Sequence, residues 1–200
     1  MFLENSDFPF TKELESSWAE IREELDRLPL DRFKPWYEKD LYTKLWLVYG
    51  LYAFGKKLDV NCEACPKTVE ILKKVPDLVT AGFSALLPGT HIKPHEGYTG
   101  AVLRCHLGLQ VPEPEKCVLK VAGVERSWRE GKCLVFDDTS VHEARNEGQK
   151  PRIVLLLDFK NKQKKLPITE KIKFSALSAG ARLLSKAYES SEKPSPDRVD

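Results

Sequence analysis

Charge of one sign is in short supply: 32 lysines and arginines stand against 30 aspartates and glutamates, for a formal net charge of +2. That balance offers no one-signed field to a nucleic-acid backbone, so no nucleic-acid partner is expected. Cysteine is scarce and odd in number, with five in 200 residues, which excludes a disulfide scaffold. Long apolar runs are missing too, since the longest, residues 45–54, is about half of the ~20 residues a spanning helix needs. Residues 1–10 lack the basic-then-apolar layout of a secretory leader. The expectation is a cytoplasmic protein, soluble or at most peripheral to a membrane, monomeric or weakly associating. No internal repeat is present. What is there is a 42% hydrophobic content, and a chain of this length buries roughly 70% of its unfolded surface around one core.

Leu14, Trp18, Ile21, Leu25 and Leu28 recur at steps of four and three, which predicts one amphipathic helix that Pro29 stops. Residues 45–51 form a second apolar segment. Pro66 suits a first helical position, and a short helix from there buries Val69, Leu72 and Val75 until Pro76 closes it. From Val79 the period changes to short runs separated by Pro, Gly, Asn and Asp. Strands are predicted at residues 80–87, 101–111, 117–121, 125–129, 132–136, 142–146 and 152–159. No helix-length pattern lies between them, which argues against a parallel α/β sheet. The expected fold is mainly β: a jelly roll core over residues 79–160, preceded by a helical layer over 1–78.

Residues 160–186 carry eight basic side chains against the single acid Glu170, a local charge of +7. Ile172, Phe174, Leu177, Leu183 and Leu184 are interleaved with them at loosely helical spacing. The segment reads either as a solvated helix packed on the barrel or as a surface that rests on anionic lipid. Together 161–200 form a basic extension, partly helical, whose last stretch, 189–200, has the composition of a disordered tail.

All four histidines fall in the β-rich part: His91, His95, His106 and His142. His91 and His95 lie in a stretch punctuated by Pro88, Gly89, Pro94 and Gly97, read as a loop from which a neutral imidazole can face a metal. Along residues 101–109, Leu103, Cys105, Leu107 and Leu109 share one face while Val102, Arg104 and His106 share the other. On a solvated face two such groups are ordinary. In a barrel interior a guanidinium persists only beside an anion, and would hold a carboxylate by a bidentate pair. Arg152, which opens the most apolar strand, follows the same logic.

The ordered set Pro88-Gly89-Thr90-His91, Pro94-His95, Leu103-Arg104-Cys105-His106, Gly131-Lys132, Phe136-Asp137-Asp138, His142-Glu143 and Arg152 resembles the aspartyl/asparaginyl β-hydroxylase family. The likeness extends upstream through Leu14-Glu15-Ser16-Ser17-Trp18, Trp46 and Cys65-Pro66-Lys67-Thr68, and so covers most of residues 10–160. The resemblance implies a double-stranded β-helix of cupin-like type with N-terminal helices packed on it. It also implies an Fe(II)- and 2-oxoglutarate-dependent dioxygenase that consumes O2, hydroxylates a carbon, and releases succinate and CO2. Carried over position by position, it makes His95 and His142 the iron ligands. Ser84 and Arg152 would hold the far carboxylate of 2-oxoglutarate, and Trp46 would line that pocket. Arg104 and His106 would bind the cosubstrate near the metal or orient the substrate, the two roles being undivided.

Iron oxygenases commonly pair two histidines with a carboxylate, but the position two after His95 is Gly97. The chain therefore resembles the branch in which water completes the metal sphere. Glu96 and Asp138 are the alternative carboxylates for the third position, although the first points away from His95 in an extended segment and the second reads rather as a turn residue or a group supporting the ligands. The substrate expectation spans an aspartyl or asparaginyl peptide, a small molecule and a lipid acyl chain. Peptide-modifying members present substrates with a helical-repeat domain for which 200 residues leave no room, whereas resembling bacterial relatives act on lipid A acyl chains or small peptides.

A different class remains: a non-catalytic jelly-roll module that keeps the metal or 2-oxo acid site for binding alone. Cys62 and Cys65 form a lone CxxC before Pro66 and read as structural, as do Cys105, Cys117 and Cys133 in their apolar strands. Trp18 and Trp128 read as packing residues, and Asp137 as a turn group without a nucleophile beside it.

Overall fold

The computed structural model describes residues 1–191. A short strand β1 (Phe2–Leu3) leads into helices α1 (Phe10–Ser16) and α2 (Trp18–Asp26), then strands β2 (Lys34–Pro35), β3 (Trp46–Ala53) and β4 (Lys56–Lys57) and helices α3 (Asp59–Glu63) and α4 (Pro66–Leu72). An unbroken series of strands follows: β5 (Leu78–Leu86), β6 (Thr90–His95), β7 (Val102–Gln110), β8 (Cys117–Val121), β9 (Val124–Ser127), β10 (Cys133–Phe136), β11 (His142–Asn146) and β12 (Arg152–Lys160). Helix α5 (Ile168–Ser191) ends the described chain. It takes up residues 189–191 of the expected disordered tail, and the rest of that tail lies outside the described residues.

The larger sheet runs β1-β10-β7-β12-β5-β3-β2, with β4 on β3, and the smaller runs β6-β11-β8-β9. From β5 onward the chain passes back and forth between the two, which is the double-stranded β-helix of a jelly roll. The segment expected as a helical layer contributes β1 to β4 as well as its helices. Trp46 and its neighbours thus belong to the large sheet. The N-terminal stripe is interrupted at Ser17, where φ of −99° and ψ of 6° separate α1 from α2. Leu14, Ile21 and Leu25 are nevertheless all buried, so the periodicity reported the buried face and missed the kink.

The large sheet has two covered faces. Outside, Leu14, Ile21 and Leu25 pack with Leu103, Cys105, Leu107, Leu109, Leu155 and Leu157. Inside, between the sheets, Trp46, Leu86, Leu119, Val121, Trp128, Phe136 and Val154 form a second apolar cluster. Alternation along β7 therefore sends Arg104 and His106 into the barrel, not to solvent. The outer layer also contains a charge, Glu24. Its carboxylate accepts hydrogen bonds from the Lys67 and Thr68 backbone N–H groups, each at 2.8 Å, and from Thr68 Oγ1 at 2.7 Å. These are first-turn donors of α4, so one helix caps another.

Strand β6 replaces the loop predicted for His91 and His95. Its proline is tolerated because β6 is an edge of the small sheet. The register pairs His142 with His95 and Ala144 with Ile92, so Lys93 and Pro94 together oppose Glu143. This is a β-bulge, the kind of irregularity that re-aims a side chain beside a functional site.

Candidate active site

The bulge and the pairing bring the two histidines together. His95 and His142 are direct cross-strand partners, with ring centroids 4.1 Å apart and planes inclined at 51°. The bulged Lys93 carbonyl lies 2.8 Å from His95 Nδ1, and the Ser140 carbonyl lies 2.9 Å from His142 Nδ1. A carbonyl only accepts, so each Nδ1 carries the hydrogen and each Nε2 presents a lone pair. Burial pushes the His95 pKa down and takes that of His142 to about 3, with His95 adding to the latter effect. Both rings are neutral at physiological pH, the state a metal ligand requires.

Turn chemistry fixes the segment before His142. Asp137 Oδ1 accepts from the Thr139 N–H at 3.0 Å and from Thr139 Oγ1 at 2.6 Å, which closes an Asx turn. The Gly97 N–H donates to the Asp138 carbonyl at 2.7 Å, tying the two histidine segments to each other. A Cβ at Gly97 would collide with the Asp138 carboxylate. Any side chain at the position where a third ligand is usual is therefore excluded by a neighbouring acid.

The large sheet supplies the rest of the expected set, all on its inner face. Register places Trp46 opposite Leu86, Leu86 opposite Arg152, and Ser84 opposite Val154. Trp46 Nε1 donates to Ser84 Oγ at 2.9 Å, which leaves the serine hydroxyl hydrogen for another acceptor. Arg152 is 1% exposed, and its guanidinium lies 4.4 Å from the centroid of Trp128. Trp128 Nε1 in turn donates to His106 Nδ1 at 3.3 Å. Among the described residues, His106 Nε2 and the Nε and Nη1 of Arg152 are buried without a hydrogen-bond partner. Burial lowers the Arg152 pKa to about 10 and drives that of His106 well below its usual range, with Arg152 contributing.

Arg104 and Asp138 stand nearer the mouth. Arg104 Nε and Nη2 donate to the two oxygens of Asp158 at 2.7 and 3.2 Å, and Nη2 lies 3.3 Å from Asp138 Oδ2. Burial opposes its charge, but these carboxylates outweigh it and raise the Arg104 pKa. Burial likewise raises Asp138 to about 6, against the pull of Arg104. Asp138 is thus a partner of Arg104. Glu96 is exposed, and His91 faces outward and pairs with Glu143 at 2.8 Å. Among the described residues no group of three His, Cys, Asp or Glu side chains is arranged to hold a metal.

Trp128 and Asp158 were not singled out as site residues from sequence. Asp158 had a signal: it shares the inward parity of Arg152 along β12 in an otherwise apolar strand. Trp128 had none, because it follows the end of β9 in irregular chain. That chain crosses the sheet so closely that a Cβ at Gly108 would strike the Arg129 carbonyl. Cys62 and Cys65 are buried free thiols, pushed up to about 11 and 12 by burial, and sit apart in the helical layer.

The chain is 39% identical to an ornithine lipid ester-linked acyl 2-hydroxylase of Rhizobium tropici over 165 residues, which is 78% of this chain and 59% of that protein. It is 34% identical over 158 residues to the human aspartyl/asparaginyl beta-hydroxylase, covering 74% of this chain and 20% of the relative. Among solved structures, a 2OG-Fe(II) oxygenase family oxidoreductase of Burkholderia pseudomallei aligns with a TM-score of 0.49 at 13% identity, over 76% of this chain and 89% of that one. The chain thus spans about three fifths of its bacterial relative and a fifth of the human one. The aspartyl/asparaginyl beta-hydroxylase sequence model matches residues 15–162, the stretch that builds both sheets apart from β1 and holds every polar group described above, and the chain belongs to that family.

Proposed function

We propose that this protein is an Fe(II)- and 2-oxoglutarate-dependent hydroxylase. The observation that carries the reading is one barrel interior holding two kinds of unused valence. His95 and His142 face each other with Nδ1 hydrogens committed to carbonyls. Deeper in, Arg152 and His106 present buried donors that no described residue accepts from. A buried cation without an anion is costly, and a carboxylate from 2-oxoglutarate would relieve that cost.

His95 and His142 would hold the iron through Nε2, with water in place of a protein carboxylate. Arg152 and the Ser84 hydroxyl would bind the far carboxylate of the cosubstrate, and His106 Nε2–H would donate to it nearer the metal. Trp46 orients Ser84 by its indole hydrogen bond. Trp128 holds both Arg152 and His106 from beneath, and Arg104, braced by Asp158 and Asp138, shapes the mouth. Leu86, Leu119, Val121 and Phe136 keep the chamber dry, which limits side reactions. Bound there, ferrous ion supplies the oxidation by which a substrate C–H, O2 and 2-oxoglutarate become C–OH, succinate and CO2. The family's carbon substrates include peptide side chains and acyl chains by the names of the two relatives.

The test is succinate formation from 2-oxoglutarate with Fe(II) and ascorbate, together with an untargeted search for a product heavier by one oxygen in a cell extract. Turnover that needs both histidines supports the reading. Tight metal binding without turnover on any substrate pool would instead mark a binding module. The proposed setting is the cytoplasm, with peripheral membrane contact through α5, whose Ile168 and Ile172 are exposed beside Lys171. Sedimentation with anionic vesicles, weakened by replacing Lys164, Lys165 and Lys171 with Glu, checks that contact, and unchanged sedimentation would remove it.

A further inference from the structure

Helix α5 begins beyond residue 162, where the family match ends, yet it forms a wall of the cavity at the barrel mouth. This cavity has a volume of about 600 Å³, inside the range that binds small organic ligands. Its apolar lining comes from Phe54, Val79 and Val102 of the barrel and from Phe174, Ala176 and Leu177 of α5. Arg104, Asp138 and Asp158 are its charged lining residues on the barrel side. The Asp138 carbonyl accepts from the Gly97 N–H, two residues after His95, so the cavity adjoins the segments that carry the histidine pair.

Two further observations give α5 a fixed place. Glu170, in its first turn, accepts from Thr99 Oγ1 at 3.0 Å and from the Gly100 N–H at 3.1 Å, which latches the helix to the segment leading into β7. Phe54 has a φ of 49°, as the two-residue hairpin turn Phe54-Gly55 between β3 and β4 requires. It holds its ring against Phe174, with centroids 6.3 Å apart.

The charges lining the cavity select its occupant. Arg104 binds Asp158 through Nε and Nη2 and Asp138 through Nη2, and the half-exposed Lys173 lies 4.0 Å from Glu170. Among the described lining residues, Arg104 is thus already shared by two carboxylates, which repel an anionic substrate group. An aspartyl side chain would compete with these two carboxylates for the same counter-charge. An uncharged hydrocarbon chain would need none, and would gain about 25 cal/mol for each Å² of apolar surface removed from water.

We propose that α5 is a substrate-determining element of this protein, closing with Phe174 and Leu177 a chamber for an uncharged alkyl or acyl chain. The proposal deepens the hydroxylase reading by naming the substrate class of the same site. Its test requires neither metal nor turnover. Trp36 lines the chamber, so titrating the full-length metal-free protein with the methyl ester of 12-bromododecanoic acid should quench indole fluorescence saturably, and Trp36→Phe should remove most of that quench. Leu177→Asp, which puts a charge into the apolar wall, should weaken the titration at least tenfold. Ala176→Phe, which fills the space without a charge or a new indole, should do the same and decides the matter if the first variant does not fold. Quenching that is non-saturable, or equal in the wild type and both variants, would overturn the proposal, as would displacement of the probe by an equal concentration of an acetylated aspartyl tripeptide. Saturable quenching in a protein that forms no succinate would support the chamber and sink the hydroxylase reading alone.

Discussion

Glu24 and Arg152 are both buried charges, 2% and 1% exposed, on opposite sides of the large sheet. Glu24, in the helical layer, receives three hydrogen bonds at 2.7–2.8 Å and caps a helix. Arg152, in the barrel, lies over an indole with Nε and Nη1 unpartnered. Burial is the same, and what differs is satisfaction. A charge whose hydrogen bonds close within the fold contributes to stability, whereas one left open is held at a cost by the structure around it. The contrast extends to the neighbours: the outer face of β7 and β12 is Leu, Ile and Cys, and the inner face carries Arg104, His106, Arg152 and Asp158.

That contrast breaks most sharply at the metal pair. His95→Ala and His142→Ala should each reduce Fe(II)-dependent succinate formation to background while moving the unfolding midpoint little; full activity in either variant would reject the ligand assignment. Arg152→Met comes next. It should raise the 2-oxoglutarate KM by an amount equivalent to about 2–5 kcal/mol. The same variant should unfold no earlier than the wild type without cosubstrate, and should lose the rise in midpoint that 2-oxoglutarate gives the wild type. An unchanged KM, measured by succinate release, refutes that role for Arg152. On the outer face the effects should invert: Leu155→Ala should cost about 2–5 kcal/mol in a denaturant titration and leave the KM alone. A KM change matching Arg152→Met would show that the two faces are not separable. The smallest expected effect is Glu24→Gln, at about 1–3 kcal/mol of stability from a weakened charge-assisted cap. Its sign, opposite to that of Arg152→Met, is the sharpest statement of the comparison, and stabilisation by Glu24→Gln would contradict it.

Much of this was legible in the residue order. Turn residues and period-two runs marked the β-rich half, and parity along β7 put Arg104 with His106 and apart from Leu103 and Cys105. Illegible features had local causes. The strand β6 was hidden by Pro94, because a bulge on an edge strand removes the alternation a sequence pattern relies on. The break at Ser17 was hidden because a kink that preserves the buried stripe leaves the spacing of Leu14, Ile21 and Leu25 intact. Trp128 gave no sign of its place under Arg152, since irregular chain carries no periodicity.

The sequence by itself determined which side chains share a face, since alternation is a property of the extended backbone whatever surrounds it, and it determined which residue types were available for chemistry. Only the tertiary structure decided which face was interior, that His95 lies opposite His142, and that Arg152 meets no anion among the described residues. Those outcomes depend on register and closure between strands far apart in the chain, and on α5 folding back over the mouth, none of which a local pattern encodes.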